Sequence, residues 1–199
     1  MINNELNNYK LILASASPRR KDLLKSLDID FDILRITNFD ESYPKSIPVE
    51  EVASYIAGRK ADTIDLKLNN IYVTADTVVC LKGMVLNKPE DINQASNMLR
   101  LLSGKQHEVY TGVCLKSRNN KHLFSSCTKV WFSELNSEMI NYYIQKFKPF
   151  DKAGAYGIQE WIGYVGIEKI DGSYFNVMGL PVQKLYKELI NFIKKENSY

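Results

Sequence analysis

The sequence is poor in the residues that bind zinc or build disulfide frameworks. It contains three cysteines and two histidines among 199 residues. Cys80, Cys114 and Cys127 stand singly in apolar segments without C-x-x-C spacing, and His107 and His122 lie far apart in the sequence. This pattern argues against a zinc site or a disulfide framework. It predicts small buried hydrophobic residues and surface imidazoles instead.

The sequence also lacks a long hydrophobic run. Its longest apolar stretches, residues 9–14 and 72–81, are much shorter than the roughly 20 residues needed to cross a bilayer. Residues 1–8 are polar and rich in asparagine, and they lack the basic start, apolar centre and cleavage site of a secretory signal. We therefore predict a cytoplasmic protein without a membrane span.

Neither sign of charge is in strong excess. The net charge is +3, and the lysines and arginines form no long run. This balance argues against a nucleic acid partner and predicts that any anionic ligand is small and locally recognised. No repeat or low-complexity linker divides the chain, which is long enough for one sizeable core or two small lobes that share a sheet.

Apolar strand-like runs alternate with amphipathic segments along the chain, which predicts an α/β fold with a mixed sheet. Asp91 with Gln94 predicts a capping box, and Asp171-Gly172 predicts a further hairpin. The predicted strands cover residues 10–14, 31–36, 71–81 and 84–86, with two long strands within 107–133. The predicted helices cover residues 18–27, 48–64, 92–102 and 137–147, with a last helix opened by Pro181.

The segment after the first strand combines a helix start with an unusual number of cations. Ser17 is suited to cap the helix and Pro18 to be its first residue. Arg19, Arg20 and Lys21 then follow in the first turn, where each cation costs roughly 0.3 to 1 kcal/mol against the helix dipole. A bound phosphate would offset this cost, so the segment predicts phosphate binding, with plain helix capping as the alternative.

Asp76 interrupts the apolar strand predicted at 71–81. A carboxylate in a buried strand is costly without a cation or a metal, so we interpret it as functional. The alternative is a bulge or strand end where the carboxylate reaches water. A hairpin at 82–83 would pair Thr77 with Lys88 and so bring Lys88 beside Asp76, unless Lys88 is simply a loop lysine.

Three further positions have both a structural and a functional interpretation. Lys60 interrupts the apolar stripe of the helix predicted at 48–64, where it either meets an anion or extends to solvent. Asp40-Glu41 is either a solvated pair or a Mg²⁺ site. Gln159 ends a glycine-containing segment that either admits a nucleobase or turns tightly into a strand.

Five motifs taken together resemble the Maf family, and the resemblance extends over about residues 10–190. They are Leu13-Ala-Ser-Ala-Ser-Pro-Arg-Arg20, Lys60-Ala61, Ala75-Asp-Thr-Val78, Asn87-Lys-Pro89 and Asp151-Lys-Ala-Gly-Ala-Tyr-Gly-Ile-Gln159. The resemblance implies a single domain over 1–199, with an elongated, twisted mixed sheet flanked by helices and two lobes around a cleft. It relates this fold to the ITP pyrophosphatases and implies a homodimer. The implied reaction is hydrolysis of a nucleoside triphosphate to the monophosphate and pyrophosphate.

The resemblance also implies roles for individual residues. Asp76 matches the family's proton acceptor, and with Glu41 it matches the carboxylates near the divalent metal, which would be Mg²⁺ or Mn²⁺. The implied phosphate-binding residues are Ser15, Ser17, Arg19, Arg20, Lys60 and Lys88.

Base choice follows from the subfamily that the motifs resemble. The S-P-R-R and A-G-A-Y-G-I-Q sequences are similar to the dTTP/UTP pyrophosphatases, in which the residues matching Arg19, Thr77 and Gln159 govern base choice. A sibling subfamily with S-P-W-R prefers 7-methyl-GTP. One departure is Glu160-Trp161-Ile162, where many relatives carry a small or glycine-rich sequence, and a bulkier loop there would narrow either the base pocket or its entrance.

Two other functions compete with hydrolysis. A non-catalytic nucleotide-binding regulator of septum formation would share the basic site, but a buried carboxylate such as Asp76 repels phosphates unless a metal intervenes. A nucleotidyltransferase would share attack at the α phosphorus, but it needs a glycine-rich nucleotide loop that this sequence lacks.

Overall fold

A computed structural model describes residues 5–6, 8–37 and 39–198. Its strands form one sheet of seven, in the order β2-β1-β3-β5-β6-β7, with β4 paired to β3. The strands are β1 Lys10–Ala14, β2 Asp32–Leu34, β3 Asn70–Leu81, β4 Met84–Leu86, β5 Gln106–Lys116, β6 Lys121–Phe132 and β7 Ile167–Asp171.

Seven helices are described in these same ranges. They are α1 Pro18–Lys25, α2 Val49–Asp62, α3 Ile92–Leu102, α4 Ser137–Phe147, α5 Trp161–Gly166, α6 Tyr174–Met178 and α7 Val182–Glu196. Two 3-10 turns, Pro149–Asp151 and Ala153–Ala155, follow α4. Across the described part of the chain, no helix is both long enough and apolar enough to span a membrane.

The sheet is mixed, as predicted. Strand β1 runs parallel to both β2 and β3, whereas β3 pairs antiparallel with β4 and β6 pairs antiparallel with β7. In the β3–β4 hairpin Leu81 lies opposite Met84 and Val79 opposite Leu86, which is the register expected for a turn at Lys82-Gly83. The β3–β4 ladder ends at the pair of Val79 with Leu86, so the pairing of Lys88 with Thr77 stays a prediction.

The chain divides into two compact units. The first contains the described residues of Met1–Asp76, Thr111–Ser126 and Gly179–Tyr199, and the second contains Thr77–Tyr110 and Cys127–Met178. The long strands β3, β5 and β6 each contribute residues to both units. Two units agree with the predicted two lobes, while the cleft and the single domain over 1–199 stay predictions.

Each unit has a buried apolar core of its own. In the first unit, α2 packs on the sheet through Ala57 and Ala61, which cluster with Cys114 of β5. The buried Thr74 hydroxyl of β3 donates to the Ala57 carbonyl oxygen at 2.7 Å and ties the same helix to the strand. The core of the second unit is built from β3, β4, α3, β5, β6, α4 and α5.

Capping explains where two of the predicted helices begin. Ser17 precedes α1, and its side chain accepts a hydrogen bond from the Arg20 amide at 3.5 Å. Asp91 precedes α3 and accepts from the Gln94 amide at 2.7 Å. The Gln94 side chain returns to the Glu90 amide, at 3.1 Å, and not to Asp91, so the predicted capping box is shifted by one residue.

The hairpin predicted at Asp171-Gly172 is wrong. Strand β7 ends at Asp171, and after Ser173 the chain enters helix α6. Gly172 has a φ of +129°, and a Cβ there would lie 2.7 Å from the Thr128 hydroxyl oxygen, so the turn is pressed against β6. The Ser173 amide then donates to that same hydroxyl at 3.1 Å, which directs the chain into a helix.

Candidate functional site

Asp76 is buried in the middle of strand β3. The strand is continuous from Asn70 to Leu81, and only 10% of the Asp76 side chain is exposed. Its neighbours Ala75 and Val78 belong to the apolar core. The strand therefore neither ends at Asp76 nor releases its carboxylate to water, and the carboxylate needs a cationic partner.

Lys60, near the end of α2, supplies that cation. Its ammonium donates to Asp76 Oδ1 at 2.7 Å and to Glu41 Oε1 at 2.8 Å. The Lys60 side chain is only 12% exposed, whereas that of Glu41 is 41% exposed. The inward lysine thus meets two carboxylates, and both lie within one hydrogen-bond length of the same nitrogen.

The loop before α2 separates the two acidic residues that the sequence places side by side. The Asp40 carboxylate accepts from the Ser42 amide at 2.9 Å and from the Ser42 hydroxyl at 2.6 Å. The hydroxyl hydrogen bond lowers the pKa of Asp40 below its usual range. Asp40 therefore shapes the loop, and Glu41 is the residue that joins Asp76 at Lys60.

The start of α1 presents hydrogen-bond donors and cations together. The Ser17 amide donates to the Ser15 hydroxyl oxygen at 3.2 Å, and Pro18 is the first helical residue. The first turn contains no acidic side chain to complement the helix dipole. Capping and anion binding are compatible here, because the Ser17 side chain caps the Arg20 amide while the same turn carries the cationic side chains of Arg19 and Arg20.

Within the first unit, the Arg20 side chain is held by a backbone carbonyl group. Its Nε donates to the Gly179 carbonyl oxygen at 2.9 Å. Burial lowers the pKa of Arg20, the negative charge of Asp76 opposes that shift, and the positive charge of Arg19 adds to it. Because Arg19 and Arg20 repel each other, a phosphate beside them would stabilise both guanidinium groups.

The carboxylates of this site suit a hard divalent cation. Asp76 and Glu41 converge on one ammonium, so their oxygens already face a common point. Within residues 5–6, 8–37 and 39–198, no group of three or more His, Cys, Asp or Glu side chains gathers as a complete metal cage. Mg²⁺ commonly binds one or two carboxylates and takes its other ligands from substrate phosphates and water, so this donor pair fits it.

Three of the predicted site residues belong to the second unit. Thr77 and Gln159 are half-buried, and Lys88 is exposed in the segment after β4. The Oε1 atom of Gln159 is buried and has no hydrogen-bond partner in the part of the chain that the structure describes. The placement of these residues next to the Asp76 carboxylate stays a prediction.

The chain matches one known protein family over most of its length. The model of the family described as Maf-like protein matches residues 10–192. The chain belongs to the Maf family. The expectation drawn from the five motifs is thereby confirmed for nearly the whole length of the chain.

Curated Maf relatives match this chain over almost their full length. A dTTP/UTP pyrophosphatase of Phocaeicola vulgatus is 50% identical over 186 residues, which is 92% of this chain and 96% of that protein. One from Parabacteroides distasonis is also 50% identical, over 94% of this chain and 98% of that protein. A third, from Porphyromonas gingivalis, is 46% identical over 96% and 98%.

Among solved structures, the Staphylococcus aureus Ham1 protein matches with a TM-score of 0.43 and 13% sequence identity. The match covers 62% of this chain and 71% of that chain.

Sequence reasoning missed a polar cluster next to Gln159. Tyr143, Lys152 and Glu160 are joined by hydrogen bonds and an ion pair in the second unit. The signal for Tyr143 was its place on the apolar stripe of α4, because a buried tyrosine hydroxyl needs a partner. Lys152 was visible within the fifth motif, where a buried lysine needs an anion.

Proposed function

We propose that this chain hydrolyses dTTP and UTP to the nucleoside monophosphate and pyrophosphate. The observation that carries the proposal is the buried Asp76 carboxylate, which shares the Lys60 ammonium with Glu41. The names of the curated relatives, three of which are given above, support the same reaction and the same substrates.

Asp76 would act on the attacking water. Its carboxylate would accept a proton from the water or orient it toward the α phosphorus, while the Lys60 ammonium holds the carboxylate in place. Mg²⁺, or Mn²⁺ in its place, would be held by Asp76 and Glu41 and would supply positive charge toward the phosphate oxygens.

The cationic residues would bind the triphosphate. Arg19 and Arg20, with the hydroxyl groups of Ser15 and Ser17, would contact phosphate oxygens at the start of α1. Lys60 and Lys88 would neutralise the charge that develops on the departing pyrophosphate. Arg19, Thr77 and Gln159 would set the preference for a pyrimidine base, and the homodimer and the cytoplasmic location belong to the same proposal.

The two competing functions find less support. The curated relatives named above carry the names of enzymes, which argues against a purely regulatory protein. A regulator also has no use for a desolvated carboxylate beside a polyphosphate, since the two repel unless a metal intervenes. A nucleotidyltransferase would transfer the nucleotide to a second substrate, whereas hydrolysis releases the free monophosphate.

The test is product analysis with purified protein. Incubation with dTTP, UTP, CTP, ATP and GTP, with and without Mg²⁺, should release pyrophosphate and monophosphate fastest from dTTP and UTP, and only with the metal. Release of orthophosphate would mean that a different bond is cut. Absence of any release, with the nucleotide bound intact, would favour the regulator.

Asp76→Asn tests the assignment of the carboxylate. The substitution nearly preserves shape but removes the proton acceptor, so kcat should fall on the order of 10² to 10⁴-fold. Asp30→Asn, at an exposed carboxylate, is the matched control and should keep the rate of the unmodified chain. Full turnover in Asp76→Asn would overturn the role proposed for Asp76.

A further inference from the structure

Tyr143 connects helix α4 to the loop that carries Gln159. Its ring is fully buried and stacks on Phe147 at 5.2 Å between centroids. Its hydroxyl donates to Glu160 Oε2 and accepts from the Gly157 amide at 3.0 Å. One hydroxyl thus binds the loop residues on both sides of Gln159.

Lys152 holds the other oxygen of the same carboxylate. Its ammonium lies 3.0 Å from Glu160 Oε1 and 2.7 Å from Asp151 Oδ1. The side chains of Lys152 and Glu160 are 9% and 18% exposed, so this ion pair is largely shielded from water. Both oxygens of Glu160 therefore have a partner with fixed geometry, which restricts the Glu160 side chain to one conformation.

The side chains of Gln159 and Glu160 both pack closely against Gly157. A Cβ on Gly157 would lie 3.0 Å from Gln159 Nε2 and 3.0 Å from Glu160 Cδ. The Glu160 amide also donates to the Gly157 carbonyl oxygen at 3.0 Å, which closes a tight turn. The Gln159 amide and the Glu160 carboxylate thus lie against the same side of Gly157, so a displacement of Glu160 would change the space around Gln159.

The side-chain amide oxygen of Gln159 accepts no hydrogen bond from the described residues. Its Oε1 is buried, and no described residue donates to it. A buried amide oxygen without a hydrogen bond is unfavourable, so a ligand with a suitably placed N–H group would relieve it. Uracil and thymine each present an imide N–H, and a carboxamide held in place can accept from it.

We propose that Glu160, clamped between Tyr143 and Lys152, is a positioning residue that fixes Gln159 for recognition of a base with an imide N–H. The inference rests on the proposed function, in which Gln159 reads the base of a pyrimidine triphosphate. Glu160 contacts no reacting atom in this scheme and acts only through Gln159. Loosening the clamp should weaken binding of the preferred nucleotides without changing the chemical step.

Tyr143→Phe is the sharpest test, because it removes one hydroxyl and keeps the stacked ring. We expect the ratio of kcat/KM for UTP to kcat/KM for GTP to fall about tenfold, through KM for UTP, with kcat and the metal requirement unchanged. Tyr142→Phe is the matched control on the same helix. It removes an exposed hydroxyl that accepts from Lys146 at 2.7 Å and should leave the ratio unchanged.

Glu160→Ala and Glu160→Gln provide a second series if Tyr143→Phe folds poorly. Alanine removes both interactions and should lower the ratio at least as far, whereas glutamine keeps an oxygen for the Tyr143 hydroxyl and should recover part of it. A merely structural role would lower the rate equally for all nucleotides, because fewer molecules would be active. That outcome, or an unchanged ratio in every variant, would overturn the proposal.

Amide hydrogen exchange separates this inference from the proposed function. In Tyr143→Phe the segment 157–160 should exchange faster than in the unmodified chain, while in Tyr142→Phe it should not. If the unmodified protein showed no preference for UTP and dTTP, the proposed function would fail even with this exchange result. If the preference were present but exchange and substrate ratio were both unchanged in Tyr143→Phe, only the positioning role would fail.

Discussion

Lys60 places one positive charge against two negative ones in a largely desolvated setting. Its ammonium binds Asp76 and Glu41, which are separated from it by 16 and 19 positions in the sequence. Removing a buried cation costs more than a surface ion pair contributes, because the remaining carboxylates keep their desolvation penalty. The partial exposure of Glu41 moderates that cost.

Lys60→Met should therefore destabilise the fold. The substitution keeps the length of the side chain and removes its charge, and we expect the free energy of unfolding to fall by about 2 kcal/mol, measured by urea titration without added metal. Lys187→Met, at an exposed lysine of α7, is the control and should change it by less than about 0.5 kcal/mol. Equal stability of both variants would contradict the burial argument.

Glu41 shows what the sequence left undecided at a single position. Asp40 and Glu41 were equally plausible metal ligands from their place in a loop. In the structure the Ser42 amide and hydroxyl both donate to Asp40, and Glu41 is the one of the two that binds Lys60, while its role as a metal ligand stays a prediction. Such a choice is local in sequence but is completed by a lysine on another element.

Helix α2 approaches strand β5 so closely at Gly112 that no side chain fits between them. A Cβ on Gly112 of β5 would lie 2.2 Å from the Ser54 amide nitrogen and 2.3 Å from the Ala53 carbonyl carbon, both in the backbone of α2. Backbone atoms cannot move aside as a flexible side chain can, so the helix would have to shift away. Because α2 also carries Lys60, this contact helps to set the geometry at Asp76.

Gly112→Ala should consequently lower the free energy of unfolding by about 3 kcal/mol. Gly83→Ala is the matched control, because a Cβ there meets nothing within 4 Å and only its φ of +80° is strained. That control should cost about 1 to 2 kcal/mol. Urea titrations of the two variants give the comparison, and a smaller effect at Gly112 than at Gly83 would refute the close approach.

Several element boundaries were predictable from local sequence, from capping residues for helices and from apolar runs and turn residues for strands. Helices α3 and α4 and strands β1 and β4 have the predicted limits. The helix predicted at 48–64 runs from Val49 to Asp62, and the strand predicted at 31–36 shortens to Asp32–Leu34. The short α5 was not predicted. The entry into α6 was not predicted either, because an Asp-Gly turn can lead into a helix as well as into a hairpin, and only the contact with Thr128 selects the helix.

His107 links the stability of the whole molecule to pH. Its imidazole is buried against Phe132 and Tyr156, and its Nε2 lies 2.7 Å from the Tyr156 hydroxyl. Burial lowers the pKa of His107 from 6.5 to about 4, since the charged imidazolium is not solvated there. The folded protein therefore stays neutral at His107 in a pH range where the unfolded chain takes up a proton.

The stability contributed by neutral His107 is complete above pH 6.5 and is lost as the pH falls from 6.5 to about 4. The loss should amount to about 3 kcal/mol of the free energy of unfolding. The difference in unfolding free energy between the unmodified chain and His107→Gln, measured at each pH, isolates this residue because the carboxylate contributions cancel. A difference that stays constant across that range would contradict the burial argument.

The sequence by itself determined the family, the α/β class and most of the elements, because motifs, capping residues and apolar periodicity act over a few neighbouring positions. Only the tertiary structure decided that Lys60 binds both Asp76 and Glu41, and that Tyr143 and Lys152 bind the two oxygens of Glu160. The physical reason is that a buried polar side chain must find its partner wherever the fold brings one. Such partners lie on other helices, strands and loops, beyond the reach of local sequence patterns.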